Sequence, residues 1–407
     1  MEQTTTNIAA GEAAQARRNA FILATAQAFS GSVPPIALTV GGLAGVYLLG
    51  PDKSLATLPL SCFMVGVAAG AIPAARLMRR IGRRAGFMVG SVVAMVGSLI
   101  AGGSMLAGSF VLFAVGLTVC GFAGAFVQQY RFAAADAGSP AFRARAISWV
   151  LAGGVAAAVI GPQTVILTRS LFDPVPYAGA FFAMGGLAFI GLIVLSFLGG
   201  QARQAPKAAS LSGGRPLSQI MRQPRFVVAL VCGIGSYALM SLLMTAAPLA
   251  MVHFDHGQAN AALGIQWHVI AMFAPSFVTG ALIARLGKEI IVATGLVLLT
   301  ACAVIALAGV ALANFWLALI LLGVGWNFGF IGSTAMLTET YRPEEKGRVE
   351  GLNDLLVFGS VAIASLSSGK LFSTIGWESM NVYAFPIIAI CVLALALGLV
   401  VRRRQPV

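Results

Sequence analysis

The sequence predicts an all-α integral membrane protein with twelve transmembrane helices arranged as two six-helix halves. Three observations lead there. Hydrophobic residues make up 58% of the 407 positions and charged ones only 10%, with a mean hydropathy of +0.90, values foreign to a water-soluble chain of this length. Apolar runs of about twenty residues, each sufficient to cross roughly 30 Å of hydrocarbon as a helix, recur along the whole chain. One long polar connection divides them six and six.

The first half holds spans at 21–49, 55–75, 85–106, 109–133, 146–168 and 177–199. The second holds spans at 225–250, 260–284, 289–311, 315–338, 350–371 and 380–401. Residues 1–20 read as a polar N-terminal tail, 21–200 as the first half, 201–224 as a linker, 225–401 as the second half and 402–407 as a C-terminal tail. The first twenty residues lack the positive, apolar, small-residue order of a cleaved signal peptide, so the first span is expected to remain as an anchor. The linker stretch QARQAPKAASLSGGRPLSQIMRQPR is rich in Ser, Gly, Pro and basic residues, as connections outside the membrane are.

A net charge of +13 invites a nucleic-acid reading, and the placement of the cations removes it. Of the 26 Lys and Arg, 23 fall on the termini and the even-numbered connections, leaving Lys53, Arg169 and Lys370 for the other side. By the positive-inside rule both termini are expected in the cytoplasm, with the lipid bilayer as partner and no nucleic acid. The five cysteines (Cys62, Cys120, Cys232, Cys302, Cys391) lie within spans and form no CxxC pair, so neither a disulfide framework nor a cysteine zinc site is indicated. The chain also lacks a G-x-x-x-x-G-K-[ST] loop and a nucleophile–base–orienter set, which argues against a nucleotide-driven pump and against an enzyme.

The chemistry concentrates in the seventh and eighth spans, YALMSLLMTAAPLAM and GIQWHVIAMFAP. Met240 and Met244 are four residues apart, as are His268 and Met272, so each pair shares one helix face. Thioether sulfur and imidazole are soft or borderline neutral ligands suited to Cu(I), whereas zinc favours thiolates or more imidazoles and magnesium favours oxygens. With 14 methionines an M-x-x-x-M pair is also an ordinary packing event, and a lone intramembrane His also serves by bonding a backbone carbonyl. Secondary metal candidates are His253 and His256, beside Asp255 in the connection MVHFDHGQAN, and Cys232, two turns before Met240. For each the bland alternative is a solvated turn or a small buried residue. Asp354, just inside the eleventh span, reads as a coupling acid, or structurally as a helix-start cap or a partner of Arg348. Arg131 reads as a contact for an organic anion or as a partner of Asp136, and Trp326 and Asn327 in the glycine-rich tenth span as cavity-lining residues.

The loop after the second span, AARLMRRIGRR, and a weaker copy after the eighth, GALIARLGK, resemble the G-x-L-x-D-x-x-G-R-R loop of the major facilitator superfamily. Ala75, Arg79 and Ala284 stand where that pattern has its first glycine and its acids, so the two loops lack the acids of the family's usual salt-bridge latch. LAGGVAAAVIGP in the fifth span is similar to part of a motif of exporters in the superfamily. The resemblance implies two six-helix halves with alternating access to a site between them. Within the superfamily, the paired M-x-x-x-M and H-x-x-x-M motifs resemble the CcoA-type copper importers. That likeness implies Met240, Met244, His268 and Met272 as metal ligands, copper as substrate rather than a permanently bound cofactor, inward transport, supply of copper for cbb-type cytochrome c oxidase assembly, and a cytoplasmic or membrane copper-handling protein as recipient. A sister group carries riboflavin on the same fold, so a riboflavin or other small organic-solute importer is the alternative, with a non-transporting membrane copper chaperone as a third.

Overall fold

The structure is a computed structural model that describes residues 2–51, 53–136, 140–199, 214–342 and 344–404. Most of the linker read at 201–224, its residues 201–213, lies outside the described residues, as does the end of the C-terminal tail. Among the described residues there are sixteen helices and no strand. Ten helical stretches are long and apolar enough to cross a membrane, one bent pair makes an eleventh, and a shorter apolar helix at Ala384–Val400 occupies the place of the twelfth.

The first span is a broken one, α1 (Glu2–Ser30) and α2 (Val33–Leu48). Pro34 and Pro35 at the start of α2 have no N–H for the carbonyls of Ser30 and Gly31, and just before them Ser32 N bonds Phe29 O while Ser32 Oγ takes up the Ala28 carbonyl at 2.7 Å. The expected tail at 1–20 continues this helix back to Glu2, because a run of Ala, Gln, Glu and Arg propagates a helix already nucleated in the span. The first half continues with α3 (Leu58–Ile81), α4 (Arg83–Leu106), α5 (Phe110–Val127) with its short extension α6 (Tyr130–Asp136), α7 (Pro140–Thr168) and α8 (Ala178–Ser196). The second half opens with the short α9 (Leu217–Met221), then α10 (Pro224–His253), the bent pair α11 (Gly257–Phe273) and α12 (Ser276–Leu286), α13 (Lys288–Leu307), α14 (Leu312–Leu337), α15 (Lys346–Val382) and α16 (Ala384–Arg404). In α15 the helix runs eleven residues past the expected end of the eleventh span, kinking at Gly376 (φ 76°), so that Tyr383 alone separates it from α16.

Two compact units result, one of residues 1–49 and 62–205, the other of residues 50–61 and 206–407. Each shows the same two features at the same point. Gly82 (φ 86°, ψ 158°) joins α3 to α4, and Gly287 (φ 89°, ψ 156°) joins α12 to α13. That left-handed conformation suits glycine alone at little cost, which explains why the loop motif keeps its glycine in both halves. Directly afterwards comes a helix pair packed backbone to backbone. A Cβ on Gly116 of α5 would lie 2.7 Å from Ala101 N of α4, and one on Gly295 of α13 would lie 2.5 Å from Gly329 N of α14. Such small-residue seams are how helices associate in lipid, where apolar burial no longer drives them together. Meanwhile large apolar side chains face outward, Val111 and Leu167 being 73% and 75% exposed. On a soluble protein such a surface would aggregate, and against acyl chains it is solvated.

Charge collects at the polar end of the second unit. Arg225 pairs with Glu289 at 3.3 Å and with Glu339, which also meets Lys288. Glu289 lies in the first turn of α13, where the helix dipole favours an acid. Within the described part of the linker, Arg215 binds Glu345 through Nη2 at 2.8 Å, Nε at 3.0 Å and its backbone N–H at 2.7 Å. Glu345 also accepts from Arg342 N at 2.9 Å. The Arg215 guanidinium, followed by these backbone donors, holds the Glu345 carboxyl well below the usual carboxylate range.

Candidate functional site

All four residues of the two paired motifs lie in the second unit and are buried: Met240 and Met244 on α10, His268 and Met272 on α11. Both helices rest on α14. A Cβ on Gly323 would come within 2.6 Å of His268 O and 3.0 Å of Met272 N, and one on Gly329 within 2.3 Å of Ser236 Oγ, one turn before Met240. The two stripes therefore border the same two turns of α14.

His268 is fully buried and turns its ring toward α14, with Nδ1 2.7 Å from Leu319 O. A carbonyl only accepts, so Nδ1 carries the proton and Nε2 presents its lone pair. That Nε2 has no hydrogen-bond partner among the described residues. A buried acceptor without a partner forfeits a hydrogen bond's worth of stability unless a ligand supplies the donor or the metal.

Seven residues on from Leu319 stands a second orphan. Trp326 Nε1, a donor, is buried and also lacks a partner. Its indole belongs to an aromatic group that sequence reasoning did not assemble. Trp326 stacks on Phe330 with centroids 5.4 Å apart and planes 15° apart. Tyr237 of α10 meets Trp326 edge-on at 5.1 Å, Phe330 at 4.9 Å and Phe358 of α15 at 5.8 Å. Tyr237, Phe330 and Phe358 are half-buried, so ring surface stays open for a flat ligand. The signal was legible in part: W-x-x-x-F in the tenth span puts both rings on one face, but the partners from α10 and α15 come only with the fold.

The eighth span breaks directly after Met272. Pro275 lacks the N–H that would continue the helix, and α11 and α12 meet at 41°. Asn327 of α14 closes the gap. Its Nδ2 donates to Met272 O at 2.7 Å and to Ser276 Oγ at 2.6 Å, while its Oδ1 accepts from Thr279 Oγ1 at 2.7 Å. Asn327 is thus a bridge between helices rather than an open cavity wall.

The secondary candidates are scattered. His253 ends α10 with its ring against Phe254 and Phe372, and His256 precedes α11 with Nε2 2.6 Å from Val310 O. Among the described residues no three His, Cys, Asp or Glu side chains gather as a metal would need. Cys232 points its thiol toward Cys391 O on α16, at 3.7 Å. Asp354 is exposed and accepts from Asn353 Nδ2 at 3.3 Å; α15 starts at Lys346, so the acid lies two turns inside the helix rather than at its start. Arg131 sits over the Phe132 ring at 4.8 Å, and the Asp136 side chain falls outside the description.

The profile of the Major Facilitator Superfamily matches residues 19–274 and again 229–407. The chain belongs to the Major Facilitator Superfamily. Among relatives, this facilitator is 49% identical over 389 residues to the Riboflavin transporter RfnT of Brucella anthropi, covering 95% of this chain and 97% of that one. It is 31% identical to the uncharacterized MFS-type transporter YddS of Bacillus subtilis, over 89% and 86% of the two chains. The solved structure of the human organic anion transporter MFSD10 superposes with a TM-score of 0.66 over 93% of this chain and 99% of that one, at 16% identity, a likeness of fold. The chain is therefore a multi-pass membrane transporter of the facilitator fold.

Proposed function

We propose that this facilitator imports riboflavin, or a close flavin analogue, across the bacterial inner membrane by alternating access with both termini in the cytoplasm. The observation that carries the reading is the aromatic group of Tyr237, Trp326, Phe330 and Phe358 together with two orphaned polar atoms of opposite sense, Trp326 Nε1 on α14 and Nε2 of His268, the α11 residue that bonds Leu319 O of α14. Flat fused rings stack on such a surface. The pyrimidine edge of a flavin alternates carbonyl acceptors with an N–H donor, which matches Trp326 Nε1–H and His268 Nε2 in kind. The near-full-length 49% identity to a protein named as a riboflavin transporter supports the same reading. Growth of a riboflavin auxotroph on micromolar vitamin tests it: the wild-type gene should rescue growth and Trp326→Ala should not, at equal membrane abundance. Failure of the wild-type gene to rescue refutes the reading.

A second reading is favoured by one observation. The Nδ1-bonded, Nε2-free His268 is the form in which imidazole ligates a metal, its tautomer fixed by a backbone carbonyl. With Met240, Met244 and Met272 buried on the adjoining stripes, the set suits Cu(I) as substrate, for delivery to oxidase assembly. Copper accumulation in cells, lost in His268→Ala and unaffected by Trp326→Ala, would favour it, whereas copper binding without vesicle uptake would indicate a chaperone.

A further inference from the structure

The half-helix α12 is held in an unusual way. Of its eleven residues Thr279 alone is buried, while Phe277, Val278 and Leu286 are each about half exposed. Both of its ends are joints. At one, Pro275 interrupts the hydrogen-bond ladder and the chain bends by 41°. At the other, Gly287 has φ 89° and nothing closer than 3.8 Å to the place where a Cβ would stand. Little apolar packing fastens the segment, so the polar contacts at Asn327 weigh more.

Those contacts saturate. Asn327 is fully buried, and both amide protons and the carbonyl oxygen are used, two on the α11–α12 break and one on Thr279. Thr279 Oγ1 lies 2.7 Å from Asn327 Oδ1 and 2.8 Å from Pro275 O, so its single proton serves these two acceptors. Asn327 thus holds α12 at two points, Ser276 Oγ at the Pro275 joint and Thr279 one turn further on, and beyond the joint its side-chain link to α12 is the shared Thr279 hydrogen bond. That bond is strong enough to select an arrangement and weak enough to open on the timescale of a transport cycle.

We propose that Asn327 is a positioning residue for transport: it pins α12 to α14 through Thr279, and α12 pivots between Pro275 and Gly287 when that bond opens in each cycle. Met272 O remains on Asn327 Nδ2 throughout, so α11 and its site residues stay in place while the half-helix moves. The inference concerns how the transporter moves and holds for either substrate.

Thr279→Val keeps the shape and removes the proton; Thr279→Ser keeps the proton. Hydrogen–deuterium exchange of the full-length protein in nanodiscs gives the first readout, independent of any substrate. Residues 276–286 should exchange about tenfold faster in Thr279→Val, as expected for loss of one hydrogen bond of about 1.4 kcal/mol, with 257–271 unchanged and Thr279→Ser close to wild type. In proteoliposomes, with riboflavin and Cu(I) assayed in parallel as probes, the transported probe should show a severalfold lower maximal rate at an unchanged binding constant. Equal exchange in Thr279→Val and wild type would overturn the proposal. So would faster exchange across the whole second unit together with lost binding, the signature of a plain structural staple.

Discussion

Gly323→Ala tests the packing that sets the site. The new Cβ would lie 2.6 Å from His268 O, 2.9 Å from Ala271 Cβ and 3.0 Å from Met272 N, where ordinary contact begins near 3.4 Å. Two of those atoms are backbone, so no rotamer change relieves the clash and α11 must move off α14 by several tenths of an ångström. Overpacking of this kind costs about 1–3 kcal/mol, partly offset by the ~1 kcal/mol that Ala gains over Gly in a helix. At about 2–4 °C per kcal/mol for a unit of this size, the melting midpoint should fall by a few degrees. Movement of α11 also disturbs the His268–Leu319 bond, so substrate affinity should fall with it. The control is Gly186→Ala on α8, where nothing lies within 4 Å of the added methyl; it should melt at or slightly above the wild-type temperature. Scanning fluorimetry in detergent, with a binding titration on the same samples, gives both readouts. Identical behaviour of the two variants would refute the reasoning.

Trp326→Phe keeps most of the stacking surface and removes the orphan donor, so riboflavin binding should weaken roughly fivefold, and Trp326→Ala more than tenfold, in a fluorescence-quenching titration. Met240→Leu and Met244→Leu preserve volume and remove sulfur; riboflavin uptake should change less than twofold, while any copper uptake measured by mass spectrometry of washed cells should be lost. Glu345 has its carboxyl held down by Arg215, so its contribution to docking the linker is present above the ordinary carboxylate range and is lost only as pH falls through the depressed folded value. Exchange of the Arg215 amide, which donates to Glu345, should therefore stay slow at pH 4 in the wild type, and Glu345→Ala should speed it at every pH.

Much of the fold was legible because lipid imposes a simple code. Run length placed the spans, and the repeated glycine of the two loop motifs marked the same joint in both halves, as Gly82 and Gly287 now show by nearly equal φ and ψ. Boundaries failed where helix propensity outran the apolar run, as in α1 and at the end of α15. The site was only half legible. Spacing put Met240 with Met244 and His268 with Met272, and these pairs do lie on single helices. Spacing cannot report which neighbour a stripe meets, and His268 meets the Leu319 carbonyl fifty-one residues on. The aromatic group draws on α10, α14 and α15, and no local pattern joins Tyr237 to Phe358. Asn327 read as a cavity residue because the tenth span is glycine-rich; its partners Met272, Ser276 and Thr279 lie about fifty residues earlier and meet it only in the fold.

Proteoliposomes of the purified protein, loaded with unlabelled riboflavin and diluted into trace labelled riboflavin, measure the central claim most directly. The account predicts time-dependent accumulation of label in wild-type vesicles, suppressed by Trp326→Ala and indifferent to external Cu(I). No accumulation of riboflavin, in vesicles that do accumulate Cu(I) in a His268-dependent way, would contradict it.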